Sequence, residues 1–156
     1  NALDQLAERV TDVEGGSGGG GVPVGLRLSR VDTRQIIDSG AWTQLVWDTE
    51  DYNPNGIVWS GGDITVPETG IYVIYLNLYL NSAYNNYGRK VVNIGASLDG
   101  LNAWAEFDPS VSGQYYVALT PMGPLTKDEI VRTYVWHDSG YDDMEVEGSI
   151  ALNRIA

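Results

Sequence analysis

From Val66 to Leu80 the chain reads Val-Pro-Glu-Thr-Gly-Ile-Tyr-Val-Ile-Tyr-Leu-Asn-Leu-Tyr-Leu. Pro67 and Gly70 bracket a turn, and the residues after them predict one long strand. Alternation along a strand puts Tyr72, Ile74, Leu76, Leu78 and Leu80 on one face. Ile71, Val73, Tyr75, Asn77 and Tyr79 then fall on the other. Both faces are largely apolar. One can fill the core of a sandwich, but the other would leave a sizeable patch in water and needs a cover. No segment after Val22 has a helical period to supply it, so a second copy of the chain is the economical cover. The expectation is an oligomer with Val73, Tyr75 and Tyr79 at its contact.

The strand pattern extends over residues 24–156, with turn signals at short intervals. Strands are predicted at Gly25–Ser29, Thr43–Trp47, Ile57–Trp59, Asp63–Val66, Ile71–Leu80, Val91–Leu98, Ala103–Phe107, Gln114–Leu119, Ile130–Trp136 and Glu147–Ile155. Asp99-Gly100 is the clearest hairpin turn, because the pair tolerates the positive φ of a tight turn. The expected fold is all-β, an antiparallel two-layer sandwich.

Ahead of it, Leu3, Leu6, Val10 and Val13 recur at spacings of three, four and three. That is a heptad seam of about two repeats. So few turns do not make a stable helix alone. Residues 1–14 are therefore expected to be a short coiled-coil segment, the end of a longer stalk or a clamp held shut by the heads that follow, with a lone amphipathic helix as the alternative. The glycine-rich residues 15–23 read as a flexible linker, having neither a Gly-X-Y period nor a phosphate-loop Lys. The first residue is Asn1 and no signal peptide is visible, so the chain is expected to be a processed product or part of something longer.

The pattern resembles a known family. Trp47-Asp48, Tyr52-Asn53 and Gly56-Ile57-Val58-Trp59 lead into Asp63 through Tyr72 and the long strand. Leu125-Thr126-Lys127-Asp128-Glu129-Ile130-Val131 and the closing Gly148–Ile155 stretch complete it. Together they look like the jelly roll shared by tumour necrosis factor and the globular heads of complement, in flavour nearest bacterial and bacteriophage members. The resemblance implies a tight homotrimer on a stalk, acting as a binding or capping head, and hence that the coiled-coil segment over residues 1–14 is trimeric. Phe107 is the only phenylalanine; Tyr and Trp stand in several places where the family often has Phe.

The residues give little support for catalysis. His137 is the only histidine and there is no cysteine, so nucleophilic triads have almost nothing to draw on. Ser139 lies two residues from His137, yet a loop serine beside a histidine is not a triad, and His137 reads as a strand-end residue. No carboxylate pair is singled out by spacing for glycoside hydrolysis. Asp138, Asp142 and Asp143, with Glu145 and Glu147 behind them, are either weak candidates for a hard-cation site or a solvated acidic loop. No cofactor is expected.

Surface aromatics are the better lead. Tyr84, Asn85, Asn86 and Tyr87 combine rings with amides in one loop, and Tyr141 stands in another. Flat rings stack on sugar or peptide surfaces while amides hydrogen-bond. Tyr115 and Tyr116 are candidates too, unless they pack in the core or the trimer. Trp42, Trp47, Trp59, Trp104 and Trp136 are assigned mostly to the core by default.

A formal charge of −12 repels phosphates and anionic lipid, so nucleic acid and membranes are poor partners, and no apolar run spans a bilayer. The expected function is a non-enzymatic homotrimeric binding head on a virion or fibre. A bacteriophage tail-fibre, baseplate or head-decoration protein is the particular case, joined to other fibre proteins through its N-terminal stalk and meeting a host-surface glycan or protein. A purely structural cap of a bacterial surface or spore filament, and an enzyme trimming polysaccharide, are the alternatives. The expected location is a virion surface or another extracellular setting.

Overall fold

The computed structural model describes residues 24–82, 88–96, 102–107, 114–142 and 144–156. Among them are twelve strands: β1 (Gly25–Ile37), β2 (Thr43–Gln44), β3 (Thr49–Tyr52), β4 (Trp59–Ser60), β5 (Asp63–Thr65), β6 (Gly70–Ser82), β7 (Lys90–Ala96), β8 (Asn102–Phe107), β9 (Gln114–Leu119), β10 (Met122–Leu125), β11 (Ile130–His137) and β12 (Met144–Arg154). There is no helix among the described residues.

The strands form two six-stranded antiparallel sheets. The first runs β10-β6-β12-β1-β3, with β9 also paired to β6. The second runs β4-β5-β11-β7-β8, with β2 against β11. This is the expected antiparallel sandwich. Its spine is the β6–β12 ladder, continuous from Tyr72↔Arg154 to Ser82↔Met144.

Between the sheets lies one apolar core. Tyr72, Ile74, Leu76, Leu78 and Leu80 are all buried, as alternation predicts, and join Leu26, Leu28, Ile150 and Leu152. They meet Val92, Ile94, Val131 and Val135 of the second sheet. Each such side chain, taken fully out of water, contributes about 1.5–3 kcal/mol.

The Pro67–Gly70 turn has a tertiary reason. A Cβ on Gly70 would stand 2.4 Å from Arg154 Nε and 2.5 Å from the Ala156 carbonyl oxygen. The chain's last residues pass that closely because Ile71 N–H donates to Ala156 O (2.7 Å) and Ile155 N–H donates to Ile71 O (2.8 Å). The Tyr72 hydroxyl closes the turn by donating to Glu68 O at 2.7 Å. Burial pushes its phenol pKa up.

Several expectations need correction. β3 and β10 form where no strand is predicted, and β1 continues eight residues past Ser29 through an irregularity between Arg30 and Gln35. Of the tryptophans only Trp47 is buried in the core. Trp59 and Trp136 are half-buried, and Trp42 and Trp104 are 56% and 60% exposed, so the default core assignment fails for most of them. The heptad seam with Leu3, Leu6, Val10 and Val13, the glycine linker and the Asp99-Gly100 turn all lie outside the described residues. The strands flanking that turn, β7 and β8, do pair antiparallel.

Candidate functional site

The outer face of the first sheet carries the residues expected at an oligomer contact. β6 presents Val73, Tyr75, Asn77 and Tyr79 outward, the side opposite the buried phase. Register extends the face sideways: Val73 lies opposite Met122, Asn77 opposite Ala118 and Tyr79 opposite Tyr116. On the other flank Tyr79 faces Glu147, Asn77 faces Ser149 and Tyr75 faces Ala151. Tyr75 is 46% exposed, Met122 64% and Tyr116 81%. Such rings and thioether left in water make the sizeable patch that alternation predicts.

The pairing of Tyr115 with Leu80, and of Tyr116 with Tyr79, separates two neighbours the sequence leaves together. Tyr115 packs against the core, while Tyr116 stands outward with its ring 5.0 Å from that of Tyr79, tilted by 47°. Arg34 caps the pair, its guanidinium 5.6 Å from the Tyr79 ring centroid. The same group donates to Glu145 (2.7 Å) and Glu147 (3.1 Å). Hydrogen bonding to Glu145, then to Glu147, raises the Arg34 pKa above its usual value. Part of the acidic stretch is thus taken up by an arginine on this face.

Behind the tyrosines is a depression of about 490 Å³ lined by Asn77, Tyr79, Tyr116, Glu147, Gly148 and Ser149, among others. Gly148 lets β12 approach β6 closely at the edge of this depression. It has φ 157°, and a Cβ there would sit 2.1 Å from Asn77 O. Small side chains at Ala118, Ser149 and Ala151 keep the middle of the face low between tyrosine ridges. A low apolar floor between rings suits packing against another flat protein surface.

Other sequence candidates divide. Tyr141 is half exposed, in the loop after β11. Tyr84, Asn85, Asn86 and Tyr87 lie outside the described residues, as does Asp143. Asp142 accepts the Ser39 backbone N–H at 2.7 Å, and so serves as a loop staple. No three acidic or histidine side chains converge among the described residues.

His137 ends β11 as expected and is fully buried. Its Nε2 lies 2.8 Å from the Ile37 carbonyl oxygen, which makes it the donor there. Its Nδ1 lies 2.9 Å from Ser139 Oγ. The histidine and serine do meet, but with no carboxylate behind the ring and no exposure. Ser139 Oγ also lies 3.3 Å from Tyr141 O and accepts the Tyr141 N–H at 3.4 Å, so the pair ties a loop to a strand.

No protein-family model matches the sequence, and no curated protein matches it. Solved structures do match by shape. The globular domain of zebrafish complement 1qA superposes with a TM-score of 0.64 at 13% identity, covering 85% of this chain and 97% of that one. Murine APRIL at pH 5.0 gives 0.60 at 15% identity, covering 85% and 99%. Eiger TNF from S. frugiperda gives 0.59 at 12% identity, covering 86% and 93%. Identities this low establish a shared fold and nothing finer. The described domain is accordingly a jelly-roll sandwich of the kind seen in the complement 1qA head and in Eiger TNF.

Proposed function

We propose that the chain is a non-enzymatic homotrimeric binding head that associates through the outer face of its first sheet. The observation that carries this reading is the row of exposed Tyr75, Tyr116 and Met122, with half-buried Tyr79 among them, over a floor of small residues. Burying such a face recovers transfer free energy the single chain leaves unused. A three-fold rotation closes a ring of identical head-to-tail contacts, so each copy offers one part of the face to one neighbour and another part to the next. The likeness to the complement and TNF heads supports three copies over two. The heptad seam of Leu3, Leu6, Val10 and Val13 supports a three-stranded stalk entering at the axis, with the glycine run as a joint.

The setting we infer is the tip of an extracellular fibre, with a bacteriophage tail or head decoration as its particular case. Support for it is the stalk-like seam and the acidic, cysteine-free composition. Sedimentation equilibrium tests the assembly. At micromolar concentration the mass should be three times the 17.0 kDa protomer. Tyr79→Asp should shift it toward the single chain, because a buried unpaired carboxylate is expensive. A stable 17.0 kDa species for the unaltered chain ends the proposal.

A further inference from the structure

Along β11, Val131, Thr133 and Val135 turn inward and are buried, so Arg132, Tyr134 and Trp136 turn outward. Register carries that outer face across the second sheet. Trp136, Val91 and Glu106 form one row, Tyr134, Asn93 and Trp104 the next, and Arg132, Gly95 and Asn102 a third. Trp42 joins at the side, its ring 6.3 Å from that of Trp136. Trp104 and Trp42 are mostly exposed, and Trp136 and Tyr134 are half-buried. Four large rings thus lie on a face that the proposed assembly does not use.

The polar groups among them are arranged with equal consistency. Asn93 Nδ2 donates to Asn102 Oδ1 at 2.6 Å, which leaves the Asn93 amide oxygen and the Asn102 amide nitrogen for a ligand. Arg89 lies 5.0 Å over the Trp136 ring and pairs with Glu106 at 3.2 Å. Arg132 holds Asp63 by two bonds of 2.8 and 2.9 Å. Each guanidinium on the face is matched by a carboxylate within it. An anionic ligand would have to break those pairs and approach a chain of net charge −12. A cationic one would find the carboxylates occupied.

We propose that this face is a platform for a neutral oligosaccharide, a deepening that rests on the binding-head reading. A pyranose has an apolar C–H face that lies on an indole or phenol ring, and a rim of hydroxyls for fixed amides. Tyr134 and Trp104 flank Asn93 from strands two apart, about 10 Å by ordinary sheet spacing, and Trp136 lies one row, about 7 Å, further along. That spread suits several linked sugars. Large exposed ring patches mark interaction sites, and an uncharged, hydroxylated ligand fits every group on this one.

The test is an array of neutral oligosaccharides of glucan, mannan, galactan and N-acetylglucosamine type, with uronic-acid and sialylated oligosaccharides beside them, probed with the full chain. Tryptophan fluorescence titration with the strongest binder follows. Saturable binding with a shift in indole emission is expected, and Trp104→Ala and Trp42→Ala should each weaken it at least ten-fold with circular dichroism unchanged. Should either variant misfold, Asn102→Ala, expected to weaken binding several-fold, serves in its place. Equal binding by folded variants, binding of acidic oligosaccharides only, or no binding on the array overturns the platform. A trimer that ignores every neutral glycan sinks the platform and spares the assembly. A single chain that binds through Trp104 does the reverse.

Discussion

Asp63 accepts two bonds from Arg132 and a third from Gln44 at 2.6 Å. Hydrogen bonding to Arg132 comes first among the causes holding its pKa below the ordinary carboxylate value. Glu50, bonded by Asn53 Nδ2 (2.9 Å) and Trp59 Nε1 (2.6 Å), is held low as well. In the unfolded chain these carboxyls bind protons at a higher pH than in the fold. Their stabilisation is therefore complete above the ordinary value, about pH 4, and is lost as pH falls through the lowered ones. Thermal melts should hold steady from pH 7 to about pH 5 and then decline. Asp63→Asn should melt lower at pH 7 and lose less on acidification; parallel curves would remove Asp63 from that role. Single residues were the least legible level in the sequence. Tryptophan is apolar enough to be assigned inward on composition, and Trp47 obeys. Trp136 does not, because Val131, Thr133 and Val135 hold the inward phase of its strand. That alternation was readable in advance and is the signal that could have found the platform.

Elements with a strong apolar alternation or a continuous apolar run were legible from the pattern alone. β6 and β9 lie where the pattern puts them, the latter to the residue. β3 escaped because Thr-Glu-Asp-Tyr is an edge strand exposed on nearly every residue, so it carries no alternation. β10 escaped because Gly123 and Pro124 read as a breaker, whereas an edge position tolerates them. The β6–β12 ladder offers a sharper test. At Gly148 an added methyl meets Asn77 O at 2.1 Å, and the backbone there has a φ that side chains rarely adopt. Gly148→Ala should cost about 3 kcal/mol, read as a lowered urea midpoint, whereas Ser149→Ala beside it should stay within about 0.5 kcal/mol. A silent Gly148→Ala would mean the ladder relaxes freely around that close approach.

At the scale of the whole molecule, the sandwich was legible because two apolar phases in one strand demand two covers. The partner for the second cover is what strand periodicity cannot name, since an apolar patch records only that contact with water is unfavourable there. If folding and assembly are coupled, mass action raises the melting temperature with protein concentration. A ten-fold dilution should lower it measurably for the unaltered chain, and not for Tyr79→Asp; an unchanged melt in both would separate folding from assembly. The two sheets are stacked back to back. Copies gathered about an axis through their tyrosine ridges must aim their indole surfaces radially, a third of a revolution apart. No single plane can touch all three at once, so such a particle would knit separate strands of polymer into a mesh rather than grip one wall.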